Sequence, residues 1–475
     1  MAKMPGLFIS GRHLWWTILV IVSLAAGISA VFVNPLIIVA TLILLANVVL
    51  IVKYPFWGLL SYLIIFLLRP GEMYPSLSAL RLELVTGLFV LLVFIIRQKI
   101  MERRVTLPSD PITLTLVAFL AVMCLTIFTS YDKGWTIDTC TDFVKLLVFY
   151  YLIVSIINEK KKFIAFMSVF LLLIAYIAFD AFKSYMAGGF ITRMGVDRMY
   201  GSTSAGGDPN TLAATLGATI PMVVASAFYF RNWFVKGGLW FLALGMAYLI
   251  TITASRSGML AFMGVLVGGF MYSRHKIVIA IAGILMVLGI WSVLPDQYQQ
   301  RYLTLKDMED INETSSGRVE IWEAGGRMII DRPFLGVGAG AFAFAYGSGD
   351  FGPPQYMQPH SLYIQLLAES GIIGFGVWFF FIYLLFRNLR NLSRTVGSRT
   401  DELWASIYCK SFIVSMTALF VSGLFGHNLY RYTWYMMAGL TVVMNKLILI
   451  GINNRQIQTN KTILVKEAVD NPQVF

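Results

Sequence analysis

A histidine and a few arginines are the residues of this sequence best suited to chemistry. His360 precedes a long apolar run, where a helix N-terminus would leave unpaired N–H groups and partial positive charge. That setting disfavours imidazolium and leaves a neutral ring able to accept a proton, as a general base must. Arg256 stands almost alone between two apolar runs, in Thr253-Ala254-Ser255-Arg256-Ser257-Gly258. A guanidinium at membrane depth is costly unless it has a partner or faces a polar cavity. Arg318 opens a short amphipathic stretch, and Arg193 and Arg198 lie in another polar link. Arginine forks bind phosphate oxygens bidentately, so two or three converging on one cavity would hold a pyrophosphate. Each feature also has a plainer reading. A histidine at a membrane interface is often structural, Arg256 could anchor the interface or join an ion pair, and Arg193 and Arg198 could snorkel to headgroups. His427, in Gly426-His427-Asn428, also precedes an apolar run but matches no catalytic pattern. His13 and His275 lie beside basic residues and read as membrane-surface flanks.

Other candidates carry less. Residues 336–352 are glycine-rich but lack the Lys-Ser/Thr of a P-loop and the strand context of a dinucleotide site, so they read as a flexible loop. Asp307, Glu309 and Asp310 read as a solvated acidic turn rather than a cation site. Cys124, Cys140 and Cys409 are far apart, with no CxxC spacing, which argues against a disulfide framework or a zinc site.

The elements that must position these groups are set by composition. The 475 residues are 58% hydrophobic and only 13% charged, with a mean hydropathy of +0.73. A soluble chain carries nearer a quarter charged residues. The bilayer is the solvent that accommodates so much apolar surface. The expected fold class is therefore an all-α polytopic membrane protein of about 12–14 transmembrane helices. Apolar runs fall at 14–33, 35–52, 56–68, 82–96, 111–129, 143–157, 163–183, 210–230, 238–254, 257–273, 277–294, 362–386, 404–425 and 429–450. The 56–68 run is short and could tilt or re-enter. A cleavable signal peptide ending at Ile28-Ser29-Ala30 is the weaker reading of the N-terminus, because a second apolar run follows at once.

Charge then orients the chain. The net charge of +12 sits mostly in short links, which argues for membrane topology rather than nucleic acid. Lys53, Arg97–Arg104, Lys160–Lys162, Arg231 with Lys236, Arg274 with Lys276, and Arg387–Arg399 occupy every second link. Placing the N-terminus in the cytoplasm puts all six inside, together with the tail. The remaining links, at 69–81, 130–142, 184–209, 255–256, 295–361 and 426–428, fall outside. The chain so divides into an N-terminal transmembrane bundle (1–200), spans bearing Arg256 (201–294), a large periplasmic loop (295–361), C-terminal spans (362–450) and a cytoplasmic tail (451–475). Within the loop, residues 315–331 read as a helix capped by Ser315 or Ser316, with Glu323 and Arg327 one turn apart and Pro333 beyond its end.

The stretch Gly317-Arg318-Val319-Glu320-Ile321-Trp322 leads into Arg332-Pro333-Phe334-Leu335-Gly336. His360-Ser361, nine residues and Gly371-Ile372-Ile373-Gly374 follow. This resembles the pattern of the O-antigen ligase/polymerase superfamily, as do Asp208-Pro209-Asn210 and Ser255-Arg256-Ser257-Gly258 upstream. The resemblance spans roughly 200–445 and implies the membrane-embedded fold of lipid-dependent glycosyltransferases, in the bacterial inner membrane. It implies transfer of a glycan from a polyprenyl (undecaprenyl) pyrophosphate carrier to an acceptor hydroxyl of a glycan, lipid A-core or other molecule, alongside polysaccharide assembly proteins. By resemblance, Arg256 and Arg318 bind the pyrophosphate and His360 serves the acceptor, with Arg193, Arg198, Asn210 and His427 as further candidates. No cofactor and no metal are expected, since paired arginines can neutralise the leaving group. Phe375 stands where ligases often have Leu or Met, so polymerase and ligase both stay open. A membrane transporter or lipid-linked glycan flippase is the alternative from another class. Against it, no inverted repeat is visible and the polar material gathers in one loop.

The topology is testable. Alkaline phosphatase fused within 295–361 should be active, and fusions at Lys161 or Arg394 inactive. An active fusion at Lys161 would overturn the register of the spans.

Overall fold

The computed structural model describes the backbone of residues 35–101, 109–193, 195–203, 207–273, 275–303, 308–396 and 402–470, with side chains over the same stretches except 35–40, 101, 301–303, 308–317 and 452–470. The first apolar run and the Ile28-Ser29-Ala30 site lie outside the described residues. So do the side chains of Glu309 and Asp310, and Asp307 altogether; Ser315 and Ser316, expected as caps, instead fall inside a helix that spans Met308–Asp331.

Each of the other thirteen apolar runs is a helix. They are α1 (Pro35–Lys53), α2 (Pro55–Leu68), α3 (Leu82–Met101), α4 (Pro111–Leu125), α5 (Lys133–Ile156), α6 (Lys160–Met186), α7 (Pro209–Tyr229), α8 (Trp233–Ile252), α9 (Arg256–Tyr272) and α10 (Lys276–Val293). After the loop helices α11 (Asp296–Leu303), α12 (Met308–Asp331) and α13 (Phe342–Gly347) come α14 (Leu362–Val396), α15 (Leu403–Ser422) and α16 (Tyr432–Asp470). Among the described residues, eleven helices are long and apolar enough to cross a membrane, and Thr41–Lys53 and Arg256–Tyr272 are shorter apolar helices. The chain is an all-α polytopic membrane protein. A two-stranded antiparallel hairpin, β1 (Ile191–Arg193) and β2 (Val196–Arg198), interrupts the helices in a link that sequence left without structure.

The chain divides into two compact units, Met1–Gly58 and Leu59–Phe475. In the first, the Trp57 indole donates to Asn47 (2.9 Å). The second holds every residue discussed below.

Small residues set the helix packing that matters most. A Cβ on Gly217 would lie 3.2 Å from the Ala261 Cβ, and one on Gly258 would collide with the Ala213 Cβ. On the other face of α9, Gly264 packs on the Ala418 backbone and Gly268 on Val414 of α15. Without a hydrophobic drive between helices in lipid, close packing of this kind holds them together. It brings the N-terminal ends of α7 and α9 side by side. Below the site, Trp378, Phe420 and Trp434 interlock α14, α15 and α16, with ring centroids 5.2–6.0 Å apart.

The links assigned by charge to one side of the membrane meet one another. Trp135 packs on Phe344 (5.3 Å), Tyr185 and Tyr298 share a hydroxyl hydrogen bond (2.7 Å), and Met199 N–H donates to the Ile252 carbonyl (3.3 Å). The loop expected at 295–361 folds around Ile321, Met328, Val337, Phe342 and Tyr346. Its main helix begins at Met308, earlier than the expected 315, and ends at Asp331 as read. Arg327 does not pair with Glu323 there; it donates to the Phe351 carbonyl, which ties the end of the loop to the helix.

The glycine-rich stretch corrects the sequence reading. It is no flexible loop. Gly336, Gly338 and Gly340 hold positive φ, and a Cβ on each would collide with Ala368, Ser130 and Thr139 in turn. The segment is wedged into a break in α14. Gly371 there has φ 62° and ψ −169°. The groups freed by the break are satisfied from the wedge: Ile372 N–H donates to the Pro333 carbonyl (2.8 Å), and Val337 and Gly338 N–H donate to the carbonyls of Ala368 and Glu369 (2.8 and 3.2 Å). Non-helical backbone is tolerated at membrane depth only when protein satisfies it in this way. The glycine that opens the Gly371-Ile372-Ile373-Gly374 motif is thus the hinge of that break.

Replacing Gly371 should therefore be costly. A Cβ would strike Phe334 backbone atoms and demand a left-handed φ, a strain of roughly 1–3 kcal/mol before the collision is counted. Gly371→Ala should lower folded yield and thermal midpoint in detergent. Gly376→Ala, whose Cβ meets nothing within 4 Å, should not. Equal behaviour of the two variants would refute the wedge.

Candidate functional site

The site forms where helices begin. Asp208 caps α7, accepting from the N–H groups of Asn210 (2.8 Å) and Thr211 (3.1 Å), and Pro209 follows at the first helical position. Ser255 caps α9 through the Gly258 N–H (3.1 Å). His360 lies two residues ahead of α14, and His427 to Arg431 lead into α16. Four helix N-termini therefore surround one small cavity, lined in part by Asp208, Asn210, Ser257, His360, His427 and Arg431. Converging N-termini favour an anion.

His360 is held in an uncommon conformation, with φ 46°. Two contacts over-determine it. The preceding Pro359 carbonyl accepts from the Trp322 indole (2.8 Å), and the Leu362 N–H donates to the Gly423 carbonyl (2.7 Å). Trp322 and Arg318 are one turn apart on α12, and both face Phe425: the rings of Trp322 and Phe425 are 5.9 Å apart, and the Arg318 guanidinium lies 5.9 Å from the Phe425 centroid. The Arg-x-x-x-Trp spacing thus puts a cation and the anchor of the histidine segment on one helix face.

The structure brings several expected residues together. The His360 and His427 rings lie 5.2 Å apart. Burial, then the nearby Arg256 and Arg193 charges, lowers the Arg318 pKa, so Arg318 feels both of the other guanidinium groups. Arg256 opens α9, and its Nε is buried with no hydrogen-bond partner. Burial, followed by His427 and Arg318, drives the His360 pKa down from 6.5 to about 4, with Asp208 opposing. The direction is the one expected at a helix start, but burial is the leading cause. Burial also lowers the His427 pKa, against the pull of Asp208. Burial would raise Asp208, but hydrogen bonds from Thr211 and Asn210 and the His427 ring outweigh it and hold the carboxyl below its usual range.

Other expected residues stand differently. Arg198 does not snorkel: it is buried, donating from Nε to the Thr253 carbonyl (3.0 Å) and from its other nitrogen to Asn210 Oδ1 (3.0 Å). Asn210 Oδ1 also accepts from Ser255 Oγ (2.7 Å). Arg198 and Asn210 therefore brace the turn that presents Arg256. Arg193 ends β1 with its side chain exposed. Sequence reasoning passed over Asp208, Arg431 and Glu369 as site residues. Asp-Pro ahead of an apolar run is a helix-start signal that could have pointed to Asp208. Arg431 donates to the Thr211 carbonyl (3.0 Å) and Thr215 Oγ1 (2.7 Å), joining the starts of α7 and α16. No spacing rule links residues so far apart.

Fold and site together define a multi-pass membrane protein with a histidine pair and an arginine cluster at gathered helix N-termini. Residues 241–379 match the family described as O-Antigen ligase, a span that includes Arg256, Arg318 and His360. A Rickettsia conorii protein named "Putative polysaccharide ligase" is 23% identical over 211 residues, covering 42% of this chain and 47% of the relative. A Rickettsia prowazekii protein of the same description is 22% identical over 211 residues, 42% of this chain and 48% of its own. The chain spans about half the length of the curated relatives it matches. The resemblance to the O-antigen ligase superfamily read from the motifs is borne out by these matches.

The depressed basicity of His360 has a direct check. Titration followed by NMR in histidine-labelled protein, with His360→Gln to assign the signal, should give a midpoint near 4. The unfolded chain binds that proton near pH 6.5, so this side chain removes stability as pH falls from about 6.5 to 4. A midpoint near 6.5 would mean that the ring is not enclosed as described.

Proposed function

We propose that this protein transfers a glycan from a polyprenyl pyrophosphate carrier to an acceptor hydroxyl at the periplasmic face of the bacterial inner membrane, as a polysaccharide ligase. The single observation that carries the reading is the linked field of Arg318 with Arg256 and Arg193, felt through Arg318 and Arg193 at His360, which lines the cavity where four helices start. The family match and the names of the relatives favour ligase over polymerase, and neither favours a transporter or flippase.

In this mechanism the acceptor hydroxyl oxygen attacks the anomeric carbon of the donor sugar. The bond from that carbon to the pyrophosphate oxygen breaks, and its electron pair leaves with the polyprenyl pyrophosphate. Arg256 and Arg318 meet the charge that develops there, with Arg193 adding to the field. The arginine forks are the phosphate clamp, and the unpartnered Arg256 Nε is a donor free to serve it. The hydroxyl proton passes to neutral His360. A base that weak takes the proton late, once the leaving bond is largely broken. The bound pyrophosphate also offsets the arginine charges that depress His360, which raises its basicity when substrate is present. Asp208 steadies His427 beside it. No metal is required by this scheme, and both termini lie in the cytoplasm.

Arg256→Ala and Arg318→Ala should each lower the transfer rate by about 10²-fold or more, with lysine restoring only part because a point charge cannot form the fork. His360→Ala should abolish transfer without loss of membrane abundance. EDTA should have no effect; inhibition reversed by magnesium would move the chemistry to the acids at 307–310. Deleting the gene separates the two reactions: a ligase leaves long chains on the polyprenyl carrier, unattached, whereas single repeats with no long chains would refute ligase in favour of polymerase.

A further inference from the structure

His427 forms a wall shared by three cavities, of about 20, 250 and 410 Å³. The smallest holds His360. The largest shares only His427 with it, lies among α2, α3, α5, α14 and the segment leading into α16, and is of the size that small-molecule sites have. Its charges are of mixed sign: Arg69 and Lys145 against Glu83, Asp142 and Glu369. Three of these are already paired, Lys145 with Asp142 at 2.6 Å and Arg69 with Glu72 at 2.7 Å. That balance suits neither a pyrophosphate, which the arginine cluster serves, nor an isoprenoid tail, which would leave five charged groups without water.

One residue in its wall has a side-chain oxygen without a partner. Gln365 lies on α14 one turn before Glu369, is 6% exposed, and its Oε1 accepts no hydrogen bond. Its amide nitrogen is committed to the Glu369 carboxylate (3.2 Å). Glu369 is itself saturated, accepting from the Gly340 N–H and the Tyr430 hydroxyl (2.9 Å each). Gln365 Oε1 is thereby fixed as a buried acceptor without a partner, on a residue that lines this polar cavity. A buried acceptor left unmade costs roughly 1–3 kcal/mol, which a donor on a ligand would recover. Trp135, 49% exposed, and Tyr62 supply aromatic surface in the same cavity.

We propose that this cavity is the acceptor-sugar subsite: Gln365 Oε1 takes a hydroxyl or amide hydrogen from the acceptor glycan, an aromatic wall of Trp135 and Tyr62 covers its apolar face, and the attacking hydroxyl reaches His360 past His427. The inference rests on the transfer reading above and assigns the two substrates to opposite sides of the histidine pair. Gln365 is a positioning and binding residue, and Glu369 acts through it by fixing its amide.

The test uses purified full-length protein in nanodiscs, lipid-linked glycan from the producing cells as donor, and an envelope glycolipid extract of the same cells as acceptor. Binding of undecaprenyl pyrophosphate is measured separately. Gln365→Leu, close in volume, and Trp135→Ala should each raise the acceptor KM at least tenfold while undecaprenyl pyrophosphate binding stays within twofold. Arg256→Ala should do the reverse. Retained carrier binding also reports that the variants are folded. Unchanged acceptor KM in both variants overturns the subsite, as does loss of carrier binding in Gln365→Leu alongside full binding in Trp135→Ala. If wild-type protein neither binds the carrier nor transfers glycan, the transfer reading itself fails, and this proposal with it.

Discussion

Like charge held at close quarters is the constraint on which the site depends. Arg256 and Arg193 both oppose the charge of Arg318, and Asp208 opposes the arginine field at His360. Nothing in that arrangement favours itself. It persists because packing elsewhere leaves the side chains no better place. The glycine and alanine contacts of α7, α9 and α15 fix two of the helix starts. The Trp378, Phe420 and Trp434 cluster fixes α14, α15 and α16 beneath the others. A site built this way is preorganised for an anion before one arrives, which is the condition for charge stabilisation without reorganisation.

The break in α14 serves the same end. A continuous helix from Leu362 would carry its buried face past the loop with no purchase on it. Opening the helix at Gly371 exposes carbonyls that the 333–340 wedge needs, and the wedge in turn supplies the Gly340 N–H to Glu369. The large loop is thereby stitched into the membrane helices below His360, while Trp322 stitches it above, at Pro359. Arg318 rides on the helix so anchored. The loop's role as a carrier of Arg318 and the membrane helices' role as carriers of Arg256 are two halves of one device.

Arg198 and Asn210 show how supporting residues resemble working ones in sequence. Both are polar groups close to the start of α7, Arg198 ending β2 ahead of it and Asn210 in its first turn. Yet Arg198 spends its guanidinium on the Thr253 carbonyl and Asn210, and Asn210 is shared with the Ser255 cap. Their contribution is to the angle at which Arg256 leaves the turn. Ala254, with φ 47° in the middle of that turn, stores strain that this network offsets.

The sequence by itself determined the membrane class and the places of the thirteen apolar helices among the described residues, because hydrocarbon tolerates only long apolar helices. It also singled out three candidates: Arg256 as a charge between two apolar runs, His360 at the start of another, and Arg318 by the motif it shares with Trp322. What it left open were relations between distant residues. Only the tertiary structure decided that His427 stands 5.2 Å from His360, that the glycine-rich stretch is a wedge, that Arg431 lines the cavity of His360, and that Tyr430 donates to Glu369. Local pattern records the cost of burying one group in one element. The partner that offsets this cost lies on another helix, and no spacing along the chain encodes it.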